Sequence, residues 1–225
     1  MYQAIKRIID LLISGLTFLV FLPIFVPIVI ALKLTGEGEI FYFQKRIGLK
    51  NTYFDIWKFA TMLKNSPSMG TGSITLRNDP RVTPVGKYLR KSKLNEFPQI
   101  INVLKGDMSI VGPRPLVDRT FSAYSTDVQS RIYNSKPGIT GIGSIIFRDE
   151  EQLISASKIE PHDFYATHIA PYKGALEIWY QENKSTLVDL QLIFLTAWVI
   201  LFSKSQLPYT FFPTLPKRPN ELAIK

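Results

Sequence analysis

An almost unbroken apolar run from Leu11 to Leu32 constrains the fold of this chain more than any other feature. A straight helix over these 22 residues would be roughly 33 Å long, enough to cross the hydrocarbon core of a bilayer. The run is too long for a signal peptide, and no small-residue cleavage site follows it. Lys6 and Arg7 precede the run and Lys33 follows it, so the flanking charges favour neither orientation.

Two prolines, Pro23 and Pro27, lie inside the run. Each removes a backbone donor and clashes with a carbonyl one turn earlier, so together they predict a kink. A sharp kink would return the helix to the membrane face from which it entered, whereas a mild kink would leave a spanning helix. A break exposed to lipid is costly unless its polar groups are satisfied. The prolines alone favour the two arrangements equally.

Composition excludes several kinds of site. The 225 residues include no cysteine, which excludes disulfides and cysteine-ligated metals. His162 and His168 are the only imidazoles, which argues against a His-rich zinc site or a Ser-His-Asp triad. The net charge of +9 indicates nucleic acid, anionic lipid or phosphorylated small molecules as partners, or a solvated basic surface. We expect no nucleic acid partner, because the aromatic residues lie in apolar runs such as Ile40–Phe43 rather than among basic residues.

The rest of the chain reads as a mixture of strands, helices and turns. The late apolar segment from Leu187 to Phe202 is short for a span and carries Asp189, so we predict an interfacial or core helix. This mixture predicts an α/β fold, strictly α+β, with a short sheet. The predicted elements are strands at 40–43 and 51–58, a loop at 65–72, mainly helix over 83–110, a helix over 121–133 and a turn at 137–138.

The densest polar region lies between Asp79 and Pro115. Glu96 stands there at a predicted helix start, and Arg114 lies between two prolines that would fix its direction, as a bidentate phosphate clamp requires. Glu96 could hold Mg²⁺, which prefers one or two carboxylates plus substrate phosphates. The region therefore suits a diphosphate–metal complex. Five cations precede Glu96: Arg81, Lys87, Arg90, Lys91 and Lys93.

Each of these residues also has a plain structural interpretation. The lysines could form a solvated helix face, Glu96 could complement the helix dipole, and Arg114 could form a surface ion pair. The diphosphate interpretation depends on their combination.

The stretch LRKSKLNEFPQIINVLKGDMSIVGPRP, residues 89–115, resembles the signature of the monotopic phosphoglycosyl transferases, the bacterial sugar transferase family. Four shorter segments agree with the family in the same order, and the resemblance covers roughly residues 1–200, which is far more specific than a single motif. It favours the re-entrant form of the N-terminal helix, and the chain resembles the short form of the family. The segments are Gln44–Gly48, Lys58–Met62, Asp79–Thr83 and Lys136–Gly141.

The resemblance implies transfer of a phosphosugar from a UDP-sugar to undecaprenyl phosphate, with release of UMP. In the family an Asp at the signature helix attacks the β-phosphate and the following Glu helps to bind Mg²⁺; the polyprenol phosphate then attacks the covalent intermediate. Glu96 takes the metal role here, and Arg90 and Arg114 match basic residues near the phosphates. The predicted catalytic residues are Asn95, Glu96, Arg90 and Arg114, and the predicted substrate-binding residues are Arg46, Lys58, Arg81, Lys91, Pro113 and Asp149.

The chain departs from the family at Asn95, which matches the position of the nucleophilic Asp. An amide cannot act as a carboxylate nucleophile. The chain is then a deliberate Asp-to-Asn variant, a natural branch with another nucleophile or direct transfer, or a silent homologue that binds substrates or recruits glycan enzymes. Asn95 could also simply cap the helix. Asp149 and Glu150, in an acidic segment after the Lys136–Gly141 motif, are the candidate replacement carboxylates.

These observations predict three parts: a re-entrant membrane helix over 1–35, a catalytic domain over 36–203 with interfacial amphipathic helices, and an aromatic, proline-rich tail over 204–225. The expected partners are a UDP-sugar, undecaprenyl phosphate, the lipid bilayer and other glycan-assembly enzymes. The expected location is the cytoplasmic face of the bacterial inner membrane.

Overall fold

The computed structural model describes residues 1–70, 72, 74–76, 78–203 and 205–222. Over these residues the chain is mainly helical with short strands, so the mixed α/β prediction is confirmed. Residues 204 and 223–225 of the predicted tail lie outside the described residues. The helices and strands, in chain order, are α1 Tyr2–Leu34, β1 Phe41–Ile47, β2 Tyr53–Phe59, α2 Pro84–Lys91, α3 Gln99–Lys105, β3 Ser109–Val111, α4 Asp118–Phe121, α5 Thr126–Arg131, β4 Gly138–Thr140, α6 Ile142–Ile146, α7 Glu150–Ala156, α8 Pro161–Phe164, α9 Ala170–Asn183, α10 Thr186–Leu201 and α11 Leu207–Phe211.

Helix α1 begins well before the apolar run and continues through both Pro23 and Pro27. Its length and mean hydropathy of 2.6 would let it cross a membrane. One side of its middle and end is apolar and exposed, as at Leu12 and Leu16. The helix therefore presents to its surroundings the kind of surface that a lipid bilayer covers.

Both ends of α1 contact the rest of the chain. Near its start, Arg7 donates to the carbonyls of Val103 and Leu104 at the end of α3, at 2.6 and 2.8 Å. Near its end, Phe25 packs against Phe59 and Phe97, with ring centroids 5.1 and 5.0 Å apart. A cationic donor at the carbonyl end of α3 also complements the helix dipole.

Two small sheets frame the interior. Strands β1 and β2 form an antiparallel hairpin in which Phe41 pairs with Phe59 and Ile47 with Tyr53, which confirms the two predicted strands. Strands β3 and β4 pair in parallel. The turn predicted at Pro137–Gly138 is wrong, because Gly138 begins β4. A Cβ atom on Gly138 would lie 2.1 Å from the amide nitrogen of Gly112, so this close approach of two strands requires glycine.

The predicted helices are shorter than their sequence patterns. Thr83 caps α2 by accepting from the amide of Gly86 at 3.0 Å. A 3₁₀ turn, Leu94–Glu96, separates α2 from α3, after Lys93 adopts a left-handed φ of 60°. The single helix predicted over 121–133 is wrong, because residues 122–125 separate α4 from α5.

Helix α10 is two-sided, as predicted for an interfacial or core helix. Leu192, Leu195 and Val199 are buried in the main core, whereas Leu187 and Phe194 are exposed on the other side. The tail crosses α9, where Trp179 donates to Thr214 at 2.9 Å and its ring packs on Phe212. The tail thus adds buried apolar area to the core rather than forming a separate unit.

Candidate active site

A cavity of about 1340 Å³ opens beside the β1–β2 hairpin. Its wall includes Glu96 of the 3₁₀ turn, the turn at Arg114 and residues of α6, α7 and α9. Residues of α1 and α10, such as Leu32 and Val199, also line it. The cavity therefore joins a polar wall to two helices with exposed apolar surfaces.

Glu96 lies at the centre of the polar wall. Arg114 grips its carboxylate with two donors, Nη2 to Oε1 at 2.5 Å and Nη1 to Oε2 at 3.3 Å. Lys58 adds a third contact, Nζ to Oε1 at 3.1 Å. Burial opposes ionisation, but Arg114 and Lys58 outweigh it and hold the pKa of Glu96 well below its usual range.

Cations outnumber carboxylates at this point. Arg46, Lys58 and Arg114 all act electrostatically on one another and on Glu96. Burial lowers the pKa of Lys58 to about 8, although Glu96 opposes this effect. Burial and the nearby charge of Arg114 lower the pKa of Arg46 to about 10. Three cations facing one carboxylate leave uncompensated positive charge, which is the electrostatic signature of an anion site.

The turn around Arg114 is held on several sides. Tyr133 donates its hydroxyl to the carbonyl of Arg114 at 2.8 Å, and the amide of Gly138 donates to the carbonyl of Pro113 at 2.8 Å. Arg46 donates to the carbonyl of Pro115 at 3.1 Å. The two prolines and these bonds fix the direction of the Arg114 guanidinium, as the sequence predicts.

Other predicted residues divide into two groups. Arg90 and Lys91 line the cavity at the end of α2, and Arg90 donates to Thr75 Oγ1 at 2.9 Å. In the part of the chain that the structure describes, Pro113 and Asp149 do not line the cavity. Pro113 is buried behind Arg114, and Asp149 precedes α7.

Arg81, predicted to bind substrate, lies away from the cavity wall. It is 3% exposed, and its Nε and Nη2 donate to Asp79 at 2.9 and 2.6 Å. Its Nη1 donates to the carbonyls of Ser66, Met69 and Gly72. These contacts hold Ser66, Met69 and Gly72 in place, so the position of Arg81 supports a structural role and gives no support to substrate binding.

Comparison with known proteins identifies the family. The profile of the bacterial sugar transferases matches residues 1–203. The chain belongs to the bacterial sugar transferase family. The exopolysaccharide production protein ExoY of Sinorhizobium fredii is 32% identical over 88% of this chain and 86% of its own length.

Two further relatives carry reaction names. The UDP-glucose:undecaprenyl-phosphate glucose-1-phosphate transferase of Klebsiella pneumoniae is 34% identical over 89% of this chain and 41% of its own length. The UDP-N-acetylgalactosamine-undecaprenyl-phosphate N-acetylgalactosaminephosphotransferase of Aeromonas hydrophila is 34% identical over 89% of this chain and 44% of its length. This sugar transferase thus spans less than half of those two longer relatives.

Asn95 has an unusual environment in this sugar transferase. It is 6% exposed, and its Oδ1 has no hydrogen-bond partner among the described residues. It lies within the 3₁₀ turn, whereas the residue before α3 is Pro98, so the interpretation of Asn95 as a helix cap is wrong. A buried acceptor without a partner costs about 1 to 3 kcal/mol.

The residues around Glu96 could bind Mg²⁺ only together with ligands from the substrate and water. Of the residues with described positions, no three His, Cys, Asp or Glu side chains form a cluster that could hold a metal alone. Glu96 is a single carboxylate, and Mg²⁺ is commonly held by one carboxylate with substrate phosphates and water supplying the remaining ligands. The site therefore fits Mg²⁺ that arrives with a diphosphate, with Glu96 as the protein ligand.

The sequence indicated Glu150 on the cavity wall, but not Lys173 or Arg148. Lys173, on α9, is buried and bonds to Glu150. Arg148 also lines the cavity, and its Nη1 is buried without a partner among the described residues. One pattern in the sequence could have indicated Lys173. It lies one helical turn before Glu177, on the same helix face as the buried Leu176 and Tyr180.

Glu177 is a buried carboxyl whose electrostatic neighbours include the Arg114 turn. Burial raises its pKa to about 8, although the charge of Lys173 and the backbone N–H of Arg114 oppose this effect. A Cβ atom on Gly143 would lie 2.2 Å from Glu177 Oε1, so the glycine makes room for this carboxyl. The raised pKa favours the neutral, protonated form of Glu177 at pH 7.

Glu177→Gln should change how stability depends on pH. Between its ordinary pKa of 4.5 and the folded value of about 8, the folded chain holds a proton that the unfolded chain has lost, so wild-type stability falls as pH rises. Glutamine has no such proton. Relative to wild type, the variant should therefore gain stability from about pH 5 to pH 8, by up to about 1.4 kcal/mol per pH unit. Melting curves in detergent at several pH values measure this difference.

The matched control is Glu182→Gln, on the same helix but exposed. Its melting curves should keep the wild-type dependence on pH. Parallel pH dependences for Glu177→Gln and wild type would contradict the neutral, buried state of Glu177.

Proposed function

We propose that this chain moves a sugar 1-phosphate from a UDP-sugar to undecaprenyl phosphate and releases UMP. The observation that carries the proposal is the convergence of Arg46, Lys58 and Arg114 on Glu96. The diphosphate of a UDP-sugar supplies the negative charge that this cluster lacks. The reaction names of the Klebsiella and Aeromonas relatives support the same substrates.

Each side chain of the site has a separate proposed role. Arg114 and Lys58 bind the diphosphate and stabilise the charge that develops on the leaving UMP. Arg46 and Arg90 extend the positive surface on either side, and Glu96 holds Mg²⁺. When bound, Mg²⁺ neutralises part of the diphosphate charge. The rigid turn around Arg114 keeps its two donors aligned in both half-reactions.

The acceptor reaches the cavity from the lipid. Thr17 and Leu32 of α1, together with Val199 and Ile200 of α10, line the apolar part of the cavity. A polyprenyl chain lying along these helices would carry its phosphate towards Arg114. The first membrane step of polysaccharide synthesis requires this meeting of a soluble donor and a lipid acceptor.

The N-terminal helix is proposed to be re-entrant, on the cytoplasmic face of the inner membrane. Its first residues are tied to the domain by polar contacts: Lys6 bonds to Asp189 at 2.7 Å, and Asp10 accepts from Ser109 and Ile110 at 3.0 and 2.9 Å. Its other end leads directly into β1. Both ends therefore lie beside the same domain, and the exposed apolar side between them faces lipid.

A second candidate is a silent homologue that binds substrates or recruits other glycan enzymes. Asn95 favours it, because the resemblance assigns a nucleophilic Asp to that position. Turnover distinguishes the two candidates.

UMP release tests the proposed reaction. UDP-glucose, UDP-galactose and UDP-N-acetylgalactosamine are each supplied with Mg²⁺ and undecaprenyl phosphate. The wild-type chain should release UMP with at least one of them. Arg114→Lys loses the two-donor grip, and its rate should fall at least about tenfold. The control Arg131→Lys changes a half-buried arginine outside the cavity, which pairs with Asp127 and Glu182, and should keep the wild-type rate.

Two outcomes would go against the proposal. Turnover by Asn95→Asp alone would make the chain a silenced version of its family. No turnover by either form would favour the recruiting function.

Cysteine labelling tests the topology, and the absence of cysteine provides a clean background. Gln3→Cys and Glu39→Cys place single thiols at exposed positions before and after the apolar run. A membrane-impermeant maleimide should label both in inverted vesicles and neither in intact spheroplasts. Leu16→Cys, in the exposed apolar middle, is the control that lipid should protect in both preparations. Labelling of the two outer positions from opposite sides would show a spanning helix.

A further inference from the structure

Glu150, the first residue of α7, lines the same cavity as Glu96 of the 3₁₀ turn. We propose that Glu150 is the carboxylate that attacks the sugar-bearing phosphorus in this chain. This inference rests on the proposed function, because it names the nucleophile for that reaction.

Asn95 does not provide this nucleophile. Its amide is a poor nucleophile, and its side chain is buried with an unpartnered Oδ1. Across the residues that the structure places, Asn95 is not part of the cavity wall, whereas its neighbour Glu96 is. A ping-pong reaction therefore needs a carboxylate from another element.

The other carboxylates on the wall are engaged or remote. Glu96 is held at both oxygens by Arg114 and at one by Lys58. Asp118 is exposed and accepts the hydroxyl of Tyr53 at 2.6 Å. The remaining three are Glu37 and Glu39, which are exposed and bond to Lys64, and Glu151, which is exposed and acts electrostatically on Arg90.

Glu150 differs from these carboxylates in its position in the cavity and in its bond to a buried lysine. It lines the same cavity as Arg114 and Glu96. One of its oxygens, Oε2, bonds to Lys173, and its side chain is 26% exposed. A diphosphate gripped by Arg114 would therefore occupy the cavity that this carboxylate lines.

Lys173 suits Glu150 to nucleophilic attack. It is 4% exposed and lies over the rings of Phe147 and Tyr165, 5.5 and 5.9 Å from their centroids. Its positive charge offsets that of Glu150, which reduces the repulsion between the carboxylate and an anionic diphosphate.

The proposed step balances. A Glu150 oxygen bonds to the β-phosphorus, and the bond from that phosphorus to the bridging oxygen breaks. The bridging oxygen leaves with the electron pair as part of UMP. An oxygen of undecaprenyl phosphate then attacks the same phosphorus, and the Glu150 carboxylate is released unchanged. If all phosphates enter and leave as dianions, no proton is taken up or released, and no oxidant or other reactant is needed.

The test combines covalent trapping with matched variants. UDP-glucose, UDP-galactose and UDP-N-acetylgalactosamine labelled in the β-phosphate are mixed with wild type in Mg²⁺ without acceptor, and the quenched protein is digested for mass spectrometry. We expect a hydroxylamine-sensitive phosphosugar on Glu150. Glu150→Gln should lose the label and at least about a hundredfold in UMP release, whereas Glu150→Asp keeps a measurable fraction of both. Glu182→Gln is the control and should match wild type.

UMP affinity and melting temperature show whether Glu150→Gln is correctly folded. Both should equal the wild-type values if the variant has lost only the nucleophile. If they do not, Glu150→Asp and the labelled peptide of wild type still decide the question. A label on another residue, a Glu150→Gln rate within tenfold of wild type, or rapid wild-type turnover with no label would overturn the role of Glu150 and leave the proposed function intact. Failure of wild type to release UMP from any of the three sugars would overturn both.

Discussion

The pairing of Arg114 with Glu96, crowded by Lys58 and Arg46, is the interaction on which the rest of the site depends. Burial, together with the neighbouring like charges, lowers the pKa of Arg46 and Lys58. A folded chain retains such a cluster only where the surrounding structure holds it. The hairpin supplies Arg46 and Lys58, the 3₁₀ turn supplies Glu96, and the turn after β3 supplies Arg114.

The supports of this cluster explain several features of the fold. The parallel β3–β4 pair requires glycine at 112 and 138, because their backbones approach closely. That contact anchors the carbonyl side of the Arg114 turn. Helix α1 and helix α10 then place the cavity beside the two exposed apolar surfaces, so a charged site and a lipid surface adjoin each other.

The sequence predicted those parts whose signals are local. The apolar run, the aromatic strands and the residues flanking Arg114 each carry their pattern within a few residues, and the structure has α1, β1, β2 and a fixed Arg114 turn. Strand β4 was missed because a Pro-Gly pair favours a turn locally, whereas Gly138 pairs with a strand distant in sequence. Tertiary contact outweighed local preference there.

The sequence indicated Glu96, Arg90, Arg114 and Glu150 at the site, but it did not indicate Lys173 or Glu177. Glu96, Arg90 and Arg114 lie close together in sequence, but Lys173 and Glu177 come from a helix far along the chain, and only the fold brings them to Arg114. Arg81 shows the opposite error. Arg81 belongs to the same basic segment, but its guanidinium donates to backbone carbonyls of this chain. The sequence does not show which way a basic side chain points.

Calorimetric titration of the wild-type chain with UDP at about pH 7 and about pH 9 is the most direct test of the cationic diphosphate site. Lys58, with a pKa of about 8, is mostly charged at the lower pH and mostly neutral at the higher, so UDP should bind about tenfold more tightly at pH 7 and take up a proton near pH 8. UDP itself only gains negative charge over this range. Equal or tighter binding at pH 9 would contradict a diphosphate site that depends on the buried charge of Lys58.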